Sequence, residues 1–343
     1  MSERNELAEG GSGGEGMQGS FSVWSVDELF RLEPPGLGPS AVALGTFDGV
    51  HLGHQRILSE ARALAAELSC TPIAFTFDRH PLATLAPERA PFMLTPLEER
   101  VKAILACGIG HVVVVRFEAA FAALTPQEFL KRIVHRALGA RGVVAGYNFR
   151  FGRGAAGGSR ELAAGAQAYG YTLRIVPPVE VGGQPVSSTR VRAAVREGDI
   201  DAANALLGRP FALWGTVVHG DARGRTLGYP TANVDVFPGA LWPGDGVYLS
   251  EVVLAAGKGG SGGGERVLPA LAVVSDRPSF ATGKRTLECF LLDFSGDLYG
   301  RAIEVRFRAR LRGIVRFASA EELVAQIRKD VEAARAYFAL GGA

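Results

Sequence analysis

Gly45-Thr46-Phe47-Asp48-Gly49-Val50-His51-Leu52-Gly53-His54 is the stretch whose reading decides the fold of the first half of this chain. It follows an apolar run, Ala41-Val42-Ala43-Leu44, with the composition of a buried strand. After Gln55 the apolar residues Ile57, Leu58, Ala61, Leu64 and Ala65 recur at helical spacing. Two histidines three apart therefore sit where a strand turns into a helix. A helix N-terminus offers free backbone N–H groups and a partial positive charge, which suit phosphate. Imidazoles beside it add donors for charge developing on a phosphoryl group. Glycines at 45, 49 and 53 let backbone approach a ligand closely. The plainer alternative is a pair of solvent-exposed histidines at a helix start.

Outward from this stretch, residues 21–191 alternate strand-like and helix-like segments. Residues 72–77, 111–115, 142–146 and 173–176 are short and apolar on both faces, as parallel strands are. Helical patterns cover residues 97–106, 126–138 and 161–169. This predicts a doubly wound, Rossmann-like α/β domain, which binds ligands beyond the carboxyl ends of its strands. From Phe211 the pattern changes. Strands are expected at 212–218, 246–254, 267–274, 286–294 and 302–311 with little helix between them, so an antiparallel sheet or small closed barrel follows. One amphipathic helix, 320–338, with Ser319 as its cap, ends the chain. A helical link over 189–207 joins the halves. The expected division is a disordered tail at 1–20, an α/β domain at 21–206 and a β domain at 207–343. Residues 258–264, rich in Gly and Ser, read as a flexible hairpin tip.

A chain of 343 residues fits two domains, and 47% hydrophobic content can fill two cores. Net charge is +2 and the basic residues are scattered, so neither nucleic acid nor a membrane surface is expected as a partner. No apolar run is long enough for a transmembrane helix, and the Gly/Ser/Glu-rich start is not a signal peptide. Cys70, Cys107 and Cys289 are far apart among apolar residues, which predicts buried thiols and a reducing cytoplasm.

Further segments carry chemistry. Ser187-Ser188-Thr189-Arg190-Val191-Arg192 places hydroxyls and arginines at a helix start, suited to phosphate or to simple capping. Gly146-Tyr147-Asn148-Phe149-Arg150-Phe151-Gly152 could contact a ring, or be an ordinary loop. Residues 215–228 are punctuated by Gly215, Gly220, Gly224 and Gly228 and carry Arg225, yet lack the Gly-Lys-Ser/Thr of a Walker A loop. They lead to Thr231 and Asn233, two apart on extended chain, which can offer two oxygens to Mg²⁺. In a strand over 286–294, Glu288 shares a face with Phe290, Leu292 and Phe294 and has apolar neighbours on the other face. A pocket or a bound cation would explain it, and partial burial would raise its pKa toward that of a useful base. A strand-end residue reaching solvent is the alternative.

These motifs, in this order, resemble the bacterial bifunctional riboflavin kinase/FMN adenylyltransferase (FAD synthetase) family. The resemblance runs through residues 45–54, 77–81, 148–152 and 187–192 in the first half, and 215–233, 288–294, 297–300 and 317–330 in the second. It implies a nucleotidyltransferase domain in which the FMN phosphate attacks the α-phosphate of ATP and pyrophosphate leaves. His51 and His54 would stabilise charge there. Gly45, Phe47, Asp48, Gly49 and Gly53, with Ser188, Thr189 and Arg190, would bind ATP phosphates; Asn148, Phe149 and Arg150 would hold the adenylyl or flavin side. The second half would be a six-stranded kinase barrel that transfers the γ-phosphate to the riboflavin 5′-hydroxyl. There the glycine-rich stretch would bind ATP, Thr231 and Asn233 would hold Mg²⁺, and Glu288 would take the hydroxyl proton. Val273, Ser275 and Phe290 depart from the family's usual Asn, Gly and His. An adenylyltransferase with an inactive kinase half, or a non-catalytic flavin-binding regulator, are the rival readings.

Overall fold

The structure, a computed structural model, describes residues 19–32, 36–220, 228–254, 265–276 and 285–341. Most of the expected tail, Gly224, Arg225, the 258–264 hairpin tip and residues 277–280 lie outside the described residues.

The first half is built on six parallel strands: β1 (Ser20–Trp24), β2 (Ser40–Leu44), β3 (Thr71–Phe77), β4 (His111–Val115), β5 (Ala140–Gly146) and β6 (Thr172–Val176). Their order is β1-β4-β3-β2-β5-β6. Alternate residues feed two cores, as a period of two requires. Val42, Leu44, Phe75, Val113 and Val143 face one core; Ala41, Ala43, Ala74, Val112 and Val144 face the other. Helix α1 (Leu52–Glu67) covers the second face with Ile57, Leu58, Ala61, Leu64 and Ala65, the residues whose spacing predicted it. Helix α2 (Leu97–Ala106) lies beside it. On the opposite face a helix starting at Pro126–Glu128 widens into π turns over Phe129–Ala137, here α3, next to α4 (Ser159–Tyr169).

A two-stranded hairpin, β7 (Glu180–Val181) and β8 (Gln184–Pro185), precedes the joint. The expected helical link is two helices, α5 (Ser188–Glu197) and α6 (Ile200–Leu207), because Gly198 turns left-handed at φ +76°. The second half closes into an antiparallel barrel, in the order β10-β13-β12-β11-β14-β9. Its strands are β9 (Phe211–Val218), β10 (Ala232–Val236), β11 (Gly246–Leu254), β12 (Arg266–Asp276), β13 (Arg285–Leu291) and β14 (Ala302–Arg312). Strand β13 stops at Leu291, earlier than the pattern predicted, where the chain turns with Asp293 at φ +53°. Leu292 and Phe294 therefore do not continue the face of Glu288. Helix α7 (Ala320–Ala339), capped by Ser319, packs Val331, Ala334, Tyr337 and Phe338 against Val247, Leu249 and Leu271 outside the barrel. Asp330 fixes it through a two-pronged bond from Arg312.

The halves share a core. Val191 and Val195 of α5 and Ile200, Leu206 and Leu207 of α6 belong to the same apolar cluster as Phe211, Leu213, Tyr248 and Phe307 of the barrel. Asn204 donates to the Phe307 carbonyl at 3.0 Å and accepts from the Phe211 N–H at 2.6 Å. Met93, from the first half, exchanges backbone bonds with Gly239 and Leu241, both at 2.9 Å. Of the cysteines only Cys289 is buried; Cys70 and Cys107 are half-buried because they sit in the turns that end α1 and α2. No helix among the described residues is long and apolar enough to cross a membrane.

Leu206 is 3% exposed in the shared cluster. Leu206→Ala should destabilise the chain by about 2–5 kcal/mol, the usual range for a leucine cavity. Denaturant unfolding read by barrel fluorescence checks this; an unchanged midpoint would show that α6 is not part of the barrel core.

Candidate functional site

Strand order reverses between β2 and β5, and a doubly wound sheet opens a crevice there. The loops that leave β2, β3 and β5 and the start of α5 close around it, enclosing a cavity of about 540 Å³. Four sequence motifs meet at this point: Gly45 with His51, Gly53 and His54; His80 and Pro81; Asn148, Phe149 and Arg150; and Ser188 with Thr189.

His51 is the N-cap of α1, and its Nδ1 accepts the His54 backbone N–H at 3.2 Å. That bond assigns the proton of neutral His51 to Nε2. Gly53 lies close beside it: a Cβ there would stand 3.2 Å from His51 Cε1, so the ring would have to give by a few tenths of an ångström. The two imidazoles stack, with centroids 3.6 Å apart. Burial, joined by the Arg192 and Arg209 cations, pushes His51 down to about 4. Burial and the neighbouring His51 push His54 well below its usual value. The buried His54 Nδ1 has no hydrogen-bond partner among the described residues. Both rings are therefore neutral near pH 7 and present polar N–H and N groups rather than cations to the cavity.

The turn before His51 is held from below. Asp48 is buried and accepts the backbone N–H of Leu94 at 3.1 Å and of Thr95 at 3.3 Å, and the Arg192 guanidinium at 2.5 Å. Burial pushes the Asp48 carboxyl upward, and Arg192 pulls the other way. Ser188 Oγ donates to the Asp48 carbonyl at 3.0 Å. Asp48 is thus an anchor under the cavity. Phe47 and Gly49, expected near phosphate, are buried in the turn and do not line the cavity. Arg190 does not reach it either. Its guanidinium donates to the carbonyls of Gln184, Pro185 and Val181, stapling the β7–β8 hairpin. Arg192, two residues on, lines the cavity instead. His80 was also missed as a site residue. Its Nδ1 accepts the Leu82 N–H at 3.2 Å, and burial lowers its pKa. The Phe77–Pro81 motif was its only signal. Arg100, fully buried, carried none: it donates to the carbonyls of Thr46 and Phe77, tying the ends of β2 and β3 together.

The second constellation lies outside the barrel wall. Register pairs Asn233 with Glu288, and Glu288 with Val273. Leu287, Cys289 and Leu291 fill the interior, while half-buried Glu288 stands on the outer face. Thr231 Oγ1 donates to Glu288 Oε2 at 3.3 Å. Gly220 packs against the Asn233 carboxamide, so a Cβ there, 2.2 Å from the amide, would push that side chain out of its present position. Gly215 is paired inside β9, and Gly228 turns left-handed at φ +83° just before Tyr229. Phe290 meets the Tyr229 ring edge-on, and Ser275 touches Thr286 at 3.3 Å. Among the described residues no group of three His, Cys, Asp or Glu side chains could hold a metal.

Comparison with known proteins agrees with both halves. Residues 34–190 match the family described as FAD synthetase, and residues 207–338 match that described as riboflavin kinase. The bifunctional riboflavin kinase/FMN adenylyltransferase of Escherichia coli K12 is 39% identical over 299 residues, spanning 87% of this chain and 93% of that protein. That of Bacillus subtilis is 34% identical over 304 residues, 87% of this chain and 92% of its own. A solved structure described as a macrolide-efflux protein from Streptococcus pneumoniae superposes with a TM-score of 0.80 at 30% identity, over 91% of this chain and 98% of that one. With both catalytic domains present in order and this likeness along nearly the whole chain, the protein belongs to the bifunctional riboflavin kinase/FMN adenylyltransferase family.

Proposed function

We propose that this enzyme phosphorylates riboflavin to FMN in residues 207–343 and adenylylates FMN to FAD in residues 21–206, with ATP as co-substrate at two separate sites. The observation that carries this reading is the convergence of His51, His54, Asn148, Ser188 and Thr189 on one cavity that Thr231, Asn233 and Glu288 do not line, these three being grouped with one another instead.

In the first site an oxygen of the FMN phosphate attacks the α-phosphate of ATP, and the bond to the β-phosphate breaks to release pyrophosphate. Neutral His51 donates from Nε2–H, and His54 adds a second polar ring atom. Preorganised donors of this kind stabilise charge without reorganising. Ser188, Thr189 and the helix N-terminus of α5 hold phosphate oxygens, with Arg192 supplying positive charge. Asn148, Phe149 and Arg150 bound the flavin or adenylyl side.

In the second site the riboflavin 5′-hydroxyl attacks the γ-phosphate and ADP leaves. Glu288 takes the hydroxyl proton. The donor set there fits Mg²⁺: the Thr231 hydroxyl and the Asn233 carboxamide are hard oxygen ligands beside a carboxylate. When bound, the ion neutralises charge on the ATP phosphates. Its partners are small molecules, and we place the enzyme in the cytoplasm, where its thiols stay reduced; neither nucleic acid nor a membrane is needed.

Incubation with riboflavin, ATP and Mg²⁺, followed by chromatography, should show FMN and then FAD. Absence of both products would remove the kinase activity, and FMN that accumulates without FAD would remove the adenylyltransferase activity. His51→Ala and His54→Ala should each lower FAD formation by about 100- to 1,000-fold and spare FMN formation.

Glu288→Gln should lower riboflavin phosphorylation by about 100- to 10,000-fold. FAD formation from supplied FMN should stay at the parent rate. A mutant that phosphorylates riboflavin normally would take Glu288 out of the mechanism.

The buried histidines also set a pH dependence. His51 has a folded pKa of about 4, below the value of about 6.5 for a free histidine. Between those values the unfolded chain binds the extra proton, so stability is lost as pH falls through this window and is fully present above it. His54 and His80 act in the same direction. Unfolding measured at pH 7 and pH 4.5 should show the loss, and His51→Gln should reduce it. An identical pH slope in the variant would show that His51 is not held neutral.

A further inference from the structure

Arg209 stands in the kinase half, between α6 and β9. Its guanidinium reaches back into the other half. It donates to the Gly49 carbonyl at 2.9 Å and to the Val50 carbonyl at 3.3 Å. Those carbonyls belong to the turn that delivers His51. The turn is under strain: Val50, a β-branched residue, sits at φ +40°, and Phe47 at φ +51°. Such conformations persist only where surrounding contacts over-determine them. The Val50 carbonyl is held a second time by Gln55 Nε2, which also donates to the Leu207 carbonyl, both at 2.9 Å. At Gly208 a Cβ would fall 2.5 Å from Leu52, so the joint presses directly on the first turn of α1. Arg209 itself does not line the cavity.

We propose that Arg209 is a positioning residue for adenylyl transfer, so that the FMN adenylyltransferase site is completed by the kinase half of the chain. By bonding the Gly49 and Val50 carbonyls it keeps the strained turn closed and His51 seated as the cap of α1, beside the cavity. This rests on the reading above that His51 and His54 act on the α-phosphate. A misplacement of a charge-stabilising donor by about 1 Å costs on the order of 100-fold in rate. The consequence falls on kcat, because Arg209 touches no substrate.

The test uses the full chain, with FMN adenylylation and riboflavin phosphorylation assayed separately in Arg209→Met, Arg209→Gln and Arg209→Lys. Arg209→Met should lower kcat for FAD formation by about 10- to 100-fold. KM for ATP and FMN and the rate of riboflavin phosphorylation should be little changed. Arg209→Lys should recover part of the rate, since an ammonium can still donate to one of the two carbonyls. A Met variant with the parent kcat for FAD formation overturns the proposal, as does one that loses both activities in step, which marks a general folding role. If the Met variant does not fold, Arg209→Gln decides: a lowered kcat supports the proposal and the parent kcat overturns it. His51→Ala is run in parallel. If it keeps the parent FAD rate, the reading of the site falls and this inference with it. If it loses the rate while Arg209→Met keeps it, only the role of Arg209 falls.

Discussion

Asp48 and Arg192 form a buried ion pair that ties three segments distant in sequence into one floor. Asp48 comes from the turn after β2, Arg192 from α5, and the backbone that joins them is the stretch around Phe92, Leu94 and Thr95. A buried charge survives only if its hydrogen-bonding capacity is met. Here two backbone N–H groups and a guanidinium meet it for Asp48, and the Phe92 carbonyl takes a further bond from Arg192 Nε at 2.9 Å. Removing either partner would leave the other charged and buried, at a cost of about 3–5 kcal/mol. The same stretch carries Met93, whose backbone pairs with Gly239 and Leu241 of the barrel. The ion pair therefore holds the cavity floor and fixes the face on which the second half docks.

The electrostatics of the cavity follow from that arrangement. Several arginines lie near His51 and His54, and the rings are buried. Both influences disfavour a protonated imidazole. The cavity is therefore lined by neutral imidazoles, while its positive charge resides on arginine. Arginine stays charged near neutral pH, so the field over the cavity does not depend on histidine titration. The cost of keeping the histidines neutral appears as sensitivity of the fold to acid.

The two halves build their candidate sites differently. The α/β half brings two helix starts, those of α1 and α5, to one crevice. In the barrel the candidate row is made by register instead. Asn233, Glu288 and Val273 are neighbours across adjacent strands, and Thr231 joins them from the end of β10. Val273, where the family usually has Asn, sits beside Glu288 and gives it an apolar neighbour on one side. Helices α5 and α6 serve both halves at once: α5 starts at the cavity, and its later turns enter the barrel core.

By itself the sequence determined the elements and the kind of chemistry. Apolar spacing marked the parallel strands, the covering face of α1 and the barrel strands, because periods of two and 3.6 follow from local backbone geometry. Local turn chemistry placed His51 at a helix start and Ser188 at another. What the sequence left open depended on long-range contacts. Arg190 and Arg192 are separated by about 200° around a helix, so only one can face the cavity. The β7–β8 hairpin took Arg190 through its carbonyls, and Asp48 took Arg192. Arg100 and Arg209 bond to backbone carbonyls, which every residue possesses, so no side-chain pattern could announce their partners. The early end of β13, and the outward placement of Glu288 beside Asn233, were decided when the barrel closed and set its register. Tertiary structure alone decided these points because a hydrogen bond across the fold is chosen by which surfaces pack, and packing is a property of the whole chain.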